Sequence, residues 1–457
     1  MLRTATFTGL ALFALTANAA PIHDSPVNHI ARRTFQSRNA DVNITTWKPT
    51  AQTASRTPDK SSHVLPLKKR KATSASSHSA ASLTGKTKKA TTSGSSTLIS
   101  LAEGEEYATS ITIGTQTFEV IVDTGSSDTW VVEEGFTCID LDTGEDTTES
   151  ACDFGPTYTP DSTLSKISNE EFSIEYGDGE YLYGYIATET VTLADVTVDQ
   201  EIAIVTESAW EGDSTTSGLT GLAYPLLTSA YDGFEQVEYN PIFTTMVKDG
   251  LVDSYFSLAI LRDVSGDAGY LTLGGLPPIT FNETWTSTDI LITSIEGYSK
   301  GYDFYTINID SVSVNGKTIS GAGGTDIQYI VDSGTTLNYY PTAVADAVNA
   351  AFEPAATYNS DEGAYVVDCK ATAPTHTITI GGTAFTINPL DLILYAGTDD
   401  EGNDICITGI VDGGDDYSED VFILGDTFQK NVVTVFDVGA TELKFAPNVD
   451  YTSNDDY

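Results

Sequence analysis

The sequence predicts a mostly β protein of two lobes related by an internal duplication. Three observations carry that expectation. From about residue 98 onward, short stretches of alternating apolar and polar residues are punctuated by Gly, Asp and Asn, as in YATSITIG, FEVIV, FSIEYGDG, YLTLGG and INIDSVSVNGK. That is the period of half-buried strands. Helical patterns are few and short, and PTAVADAVNAAF at 341–352 is the clearest. The third observation is a repeat: IVDTGSSDTW at 121–130 returns in reduced form as IVDSGTTLNY at 330–339. A turn used twice, far apart, suggests two copies of a whole lobe rather than one large sheet. With 457 residues, 40% hydrophobic and 10% aromatic, the chain is long enough for two packed cores.

Taken in chain order, residues 1–20 (MLRTATFTGLALFALTANAA) show an early Arg3, an apolar run from Phe7 to Leu15 and a small-residue end. This is the pattern of a secretory signal, too short to span a bilayer. The polar ending NVDYTSNDDY lacks the hydrophobic tail of a lipid-anchor signal. The expectation is a secreted product with no stable membrane anchor, although a secretory signal also admits an acidic vacuole. Charge then divides the chain. Residues 1–97 hold 14 Lys+Arg against 3 Asp+Glu, a balance of +11, and residues 98–457 hold 8 against 62, a balance of −54, which together give the net −43. Residues 49–97 are rich in Ser, Thr, Ala and Lys with no periodic apolar pattern beyond VLPL at 64–67, so 21–97 reads as a basic, poorly ordered leader. A plain flexible tail is one reading of it. The sharper one is a propeptide: a cationic segment binds an anionic body while the carboxylates are ionised and lets go when acid protonates them. Lys68-Lys69-Arg70-Lys71 and Lys86-Thr87-Lys88-Lys89 offer basic processing sites.

The acidity of the body excludes nucleic acid as a natural partner, because the phosphate backbone would be repelled. It also favours acidic surroundings, where carboxylate repulsion fades. The four cysteines form two sequence-local pairs, Cys138 with Cys152 and Cys369 with Cys406, and these are the expected bridges; the other connectivities would tie the halves together. No CxxC spacing exists and the body holds one histidine, His376, so neither a metal site nor a histidine-dependent nucleophile is expected. His376 lies in THTITIGG, an alternating stretch that reads as a strand facing solvent, with His376 a plain strand residue. Asn43 and Asn282 begin glycosylation sequons.

The repeated turn carries the chemistry. In each copy two apolar β-branched residues lead into Asp, then a hydroxyl residue, Gly and two more hydroxyls: Val122-Asp123-Thr124-Gly125-Ser126-Ser127 and Val331-Asp332-Ser333-Gly334-Thr335-Thr336. A buried strand delivers the Asp, Gly allows close backbone approach, and the hydroxyls and amides can hold a carboxylate. Asp142-Thr143-Gly144, inside the Cys138–Cys152 loop among acidic residues, shares the tripeptide but reads as a surface loop. If the lobes pack about a pseudo-twofold axis, Asp123 and Asp332 meet. Two carboxyls held that close share one proton, so one can activate a water while the other hydrogen-bonds an amide carbonyl.

These motifs, in this order over residues 98–457, resemble the pepsin family of aspartic proteases, and among them the fungal secreted endopeptidases. YATSITIGTQTFEVIVDTGSSDTW is similar to the first-lobe entry, FSIEYGDG to the flap hairpin, GLTGLAYP and VFILGDTF to the two segments that support the active-site loops with Gly221 and Gly425, and VLPLKKRK to the start of the inhibitory segment. The resemblance implies a signal at 1–20, a propeptide at 21–97, an N-terminal lobe at 98–290 and a C-terminal lobe at 291–457. It implies Asp123 and Asp332 as the catalytic dyad, oriented by Gly125, Ser126, Gly334 and Thr335. Tyr176, Gly177 and Asp178 would form the flap tip, Tyr176 would bond Trp130, and Ile121 and Leu219 would lie beside the substrate. No cofactor is implied. The partners are protein or peptide substrates and the chain's own propeptide, and the expected state is a monomer. Ser333 replaces a commoner Thr, and Glu180 a small hydroxyl. Asp178 resembles fungal members that accept Lys at P1, whereas both Asp178 and Glu180 are equally read as solvated hairpin residues. The competing reading of the whole chain is a protease-like protein that only binds; both aspartates, Ser126, Thr335, Tyr176 and Trp130 argue against it.

Overall fold

A computed structural model describes residues 63–69, 98–101 and 106–448, apart from 142, 177–178, 263–267, 294–299, 361–362, 400–401 and 416–420. The fold is the mostly β, bilobal one expected. In the N-terminal half, Glu106–Ile113 and Gln116–Asp123 form a hairpin with Ala108 opposite Ile121. The first strand is buried from its start, and the second begins partly exposed and sinks until Val120, Ile121, Val122 and Asp123 are all covered. What covers it is Gly218–Gly221, which runs parallel to Gln116–Asp123 and antiparallel to Thr129–Ile139, with Gly221 opposite Asp123. The remaining strands, Ser165–Glu175, Tyr181–Leu193 and Val196–Ala209, extend this sheet.

The C-terminal half repeats the device. Ile423–Leu424 runs parallel to Gln328–Val331 and antiparallel to Asn338–Tyr340, so a short strand again lies between the strand that delivers an Asp and the strand that leaves it. Close approach of backbone dictates the glycine that ends the first short strand and the one that follows the second. A Cβ at Gly221 would fall 2.6 Å from the Ser127 backbone, and one at Gly425 2.3 Å from the Thr335 carbonyl. Ordinary local rules shape the periphery: the Asn315–Gly316 turn, with φ of 49° and 77°, closes the hairpin of Ser311–Val314 and Lys317–Thr318 as an NG pair does. The expected helix is present at Thr342–Asn349, after Pro341, and buries Val344, Ala345 and Val348.

A third sheet region joins the halves. Tyr255–Ile260 and Thr286–Asp289 pair with Val432–Asp437 and Glu442–Pro447, which lie far later in the chain. Phe256 and Phe436 stack across it with ring centroids 4.6 Å apart, and Tyr305 meets Phe436 edge-on. Each buried ring contributes about 2–3 kcal/mol of transfer free energy. The leader takes part as well: His63–Lys69 pairs antiparallel with Gly269–Leu273 and parallel with Leu98–Leu101. Reading the leader as poorly ordered overlooked this strand, because four apolar residues suffice when both edges find partners.

Both sequence-local bridges form, Cys138–Cys152 and Cys369–Cys406, with Cα–Cα distances of 5.9 and 5.2 Å. His376 is a correction. It lies on the strand His376–Ile380, as expected, but it is fully buried, and Nε2 lies 3.0 Å from the Tyr340 hydroxyl. Burial lowers its pKa to about 4, against a backbone hydrogen bond at Ser313 that raises it. The strand does not face solvent: it alternates, and His376 shares its buried face with Ile378 and Ile380. Among the described residues no helix is long and apolar enough to cross a membrane.

Candidate active site

The two Asp turns meet at the junction of the halves. Each carboxylate is held in the same way. Asp123 Oδ1 accepts the Gly125 N–H at 2.6 Å and Oδ2 accepts the Ser126 hydroxyl; Asp332 Oδ1 accepts the Gly334 N–H at 2.9 Å and Oδ2 the Thr335 hydroxyl at 2.7 Å. The turns also bind one another. Thr124 Oγ1 donates to the Val331 carbonyl and accepts from Ser333 N–H, while Ser333 Oγ donates to the Val122 carbonyl and accepts from Thr124 N–H, all between 2.9 and 3.2 Å. Ser333 thus does the work of the commoner Thr. Close approach explains the glycines. A Cβ on Gly125 would stand 2.5 Å from the Asp332 carboxyl, and one on Gly334 2.5 Å from Asp123 Oδ1.

Such proximity has an electrostatic result. Burial pushes the Asp123 carboxyl well above the usual carboxylate range, the Asp332 charge and a hydrogen bond between the two side chains raise it further, and Ser126 and Gly125 pull the other way. Both carboxyls are nearly buried, at 6% and 5% exposure.

An aromatic group lies near Asp123, whose charge, after burial, helps raise the Tyr176 hydroxyl's pKa. Trp130 Nε1 donates to the Tyr176 hydroxyl at 2.9 Å. Trp210 meets Trp130 and Tyr176 edge-on, at 5.2 and 5.5 Å, and stacks on Phe154 at 6.0 Å. Ile121 and Leu219 are opposite one another in the parallel pair and buried in the same cluster as Trp130. Gly177 and Asp178 lie outside the described residues, as do Asn43 and Asp142. Thr143 and Gly144 are exposed, as expected of the third Asp-Thr-Gly. Asn282 is exposed, its Oδ1 accepting from Thr284 N–H and Oγ1.

Several buried carboxyls were not legible as buried in the sequence, among them Glu180, Asp128 and Asp426. Glu180 is not a solvated hairpin residue: it is 5% exposed, and its Oε1 accepts the Glu211 N–H at 2.8 Å. Asp128, from the quoted turn itself, is buried and accepts from Ser229 N–H at 2.9 Å and the Tyr239 hydroxyl at 2.5 Å. Asp426 directly follows Gly425, fully buried, and neither of its carboxylate oxygens meets a donor among the described residues. Burial drives its pKa well up; Lys430 lowers it, and Asp332 and Asp123 raise it. An acidic residue ending the apolar run VFILG was the available signal for Asp426.

The family model for eukaryotic aspartyl proteases matches residues 106–448. The chain belongs to that family. It is an aspartic-type endopeptidase, and its substrates are peptide chains. A probable aspartic-type endopeptidase of Aspergillus fumigatus is 55% identical over 358 residues, 78% of this chain and 81% of the relative. Penicillopepsin-1 of Penicillium janthinellum is 29% identical over 361 residues, 78% and 99% of the two chains. A probable vacuolar protease A of Arthroderma benhamiae is 30% identical over 366 residues, 76% and 80%.

Proposed function

We propose that this protease is made as a zymogen, is secreted, and works in acid through a water activated by Asp123 and Asp332. The observation that carries this reading is the meeting of two carboxyls, one from each half, held by equivalent amide and hydroxyl donors and close enough to bond each other. Such a pair titrates as a unit and keeps one proton in acid. The ionised carboxylate takes a proton from water as its oxygen attacks the scissile carbonyl carbon. The protonated carboxyl gives its proton to the carbonyl oxygen. The resulting diol collapses as its C–N bond breaks: the carboxyl that took the water's proton passes it to the leaving nitrogen, and a diol hydroxyl returns its proton to the other carboxylate, which restores the pair. Ser126 and Thr335 orient the pair, Tyr176 closes over the substrate while bonded to Trp130, and Ile121 and Leu219 back that side of the cleft.

The lobes are assigned to 98–290 and 291–457. Residues 21–97 act as the inhibitory propeptide, a role supported by their +11 charge against −54 in the body and by the strand His63–Lys69 in the sheet that joins the halves. The signal at 1–20 supports secretion, the working state is a monomer, and the vacuolar name of one relative keeps the vacuole as the other destination. Asp178 would admit basic P1 residues beside bulky apolar ones, and Asn43 and Asn282 are the glycosylation candidates.

The test is proteolysis of denatured globin from acidic to neutral pH, with and without pepstatin, by the processed chain and by Asp332→Asn. Cleavage confined to acid, abolished by pepstatin and reduced about 10²–10⁴-fold by the substitution, is expected. Undiminished cleavage by Asp332→Asn would remove the dyad from the mechanism.

A further inference from the structure

The hairpin that bears Tyr176 is held at its base by a second, unexpected contact. Ser165–Glu175 and Tyr181–Leu193 form its two strands, and the Tyr176 N–H donates to the Glu180 carbonyl at 2.7 Å, closing the stem just below residues 177–178. The side chain of that same Glu180 turns inward and takes the N–H of Glu211. A carboxylate is costly to bury, and a charge-assisted bond to an amide is the kind of contact that offsets the cost.

The partner segment is itself rigidly held. Gly212 N–H donates to the Cys152 carbonyl at 3.0 Å, Ser214 N–H to the Asp153 carbonyl at 2.6 Å, and Gly155 N–H to the Thr216 carbonyl at 2.8 Å. Cys152 is bridged to Cys138. A Cβ on Gly212 would stand 2.3 Å from the Asp153 carbonyl, so the two backbones are as close as they can be. Within this turn Asp213 Oδ1 accepts the amides of Thr215 and Thr216, both at 2.7 Å. Trp210, the residue before Glu211, contacts the Tyr176 ring. A continuous line of contacts therefore runs from the Cys138–Cys152 bridge through the 211–216 turn to Glu180 and the base of the hairpin.

We infer that Glu180 is a positioning residue for the flap: its carboxylate latches the hairpin base to the disulfide-braced turn at Glu211 and so holds Tyr176 against Trp130 and Trp210 before substrate arrives. The inference rests on the reading of Tyr176 as the flap tyrosine. Glu180 touches no reacting atom, so its effect is on how much ordering substrate binding must bring about. Loss of the latch raises KM more than it lowers kcat.

The experiment compares Glu180→Ala, Glu180→Gln and the parent enzyme by steady-state cleavage of a peptide with bulky apolar residues, and by acrylamide quenching of tryptophan fluorescence without substrate. Glu180→Ala should raise KM about tenfold, as for loss of one charged hydrogen bond, change kcat less, and expose Trp130 and Trp210 to quencher. Glu180→Gln keeps an oxygen at the Oε1 position and should restore both readouts. If Glu180→Ala does not fold, Glu180→Ser, too short to reach the Glu211 amide, is measured in its place with the same expectation. Parent-like KM and quenching in the shortened variant would overturn the inference, as would Glu180→Gln behaving like Glu180→Ala. Quenching needs no turnover, so failure of the latch is distinguishable from failure of the dyad mechanism.

Discussion

The two halves place the same turn on the same short-strand support, yet the residue after the supporting glycine differs. After Gly221 it is Leu222, 1% exposed, whose N–H donates to the Asp123 carbonyl. After Gly425 it is Asp426, equally buried, whose carboxyl is raised by burial and further by the charges of Asp332 and Asp123. The N-terminal half also buries an acid, Asp128, but gives it two donors. Backbone repetition thus produces the symmetry of the two Asp turns, and the side chains packed beneath them make their environments unequal. Asp426 has Lys430 one helical turn on, a cation that eases the burial of its charge.

The largest effect should come from making the halves alike. Leu222→Asp buries a carboxyl with no such cation provided for it, and should cost about 3–5 kcal/mol at neutral pH, the range for an uncompensated buried charge. The loss should shrink in acid, where the new carboxyl is protonated. Denaturant unfolding at two pH values measures it, and an equal loss at both would assign the effect to shape instead.

Asp303 sharpens the contrast from the C-terminal half. It is fully buried, bonded by the Thr293 hydroxyl and the Phe304 N–H, with Oδ2 unpartnered among the described residues, and its backbone carbonyl accepts from Tyr224 N–H of the other half. Burial raises its pKa to about 6. The folded state therefore binds this proton more tightly than the unfolded chain. Its contribution to stability is full below about pH 4 and is lost as pH rises through about 6. Asp303→Asn should flatten the fall in unfolding free energy between those values by about 3 kcal/mol. Asp123 and Asp426, also raised, act in the same direction, so the protein should be more stable in acid than at neutral pH.

The smallest effects concern the contacts that the halves truly share. Thr124→Ala and Ser333→Ala each remove one hydroxyl that donates to the opposite strand and accepts the opposite turn's N–H. Each should cost about 2 kcal/mol. Equal losses in thermal unfolding would show that the interlocking is symmetric, and a large difference would show that one turn leans on the other.

The sequence alone determined the β class, the duplicated Asp turns, their hydroxyl and glycine neighbours, the local cysteine pairs and the Tyr176–Trp130 partnership. All but the last are legible because strand period and turn chemistry are short-range properties, written in residues that stand close together in the chain; the Tyr176–Trp130 partnership was implied only by the family resemblance. It misjudged His376, left Glu180 open between a bearing on subsite preference and a solvated hairpin residue, and said nothing of Asp128, Asp303 or Asp426. For those residues the neighbours that matter lie on other elements: Tyr340 for His376, Glu211 for Glu180, Tyr239 for Asp128, Tyr224 for Asp303. Alternation says that a strand has two faces and not which one is covered, and a carboxylate's charge depends on burial and on groups tens to hundreds of residues away. Only the tertiary structure decided those, because desolvation and Coulomb interactions act through space rather than along the chain.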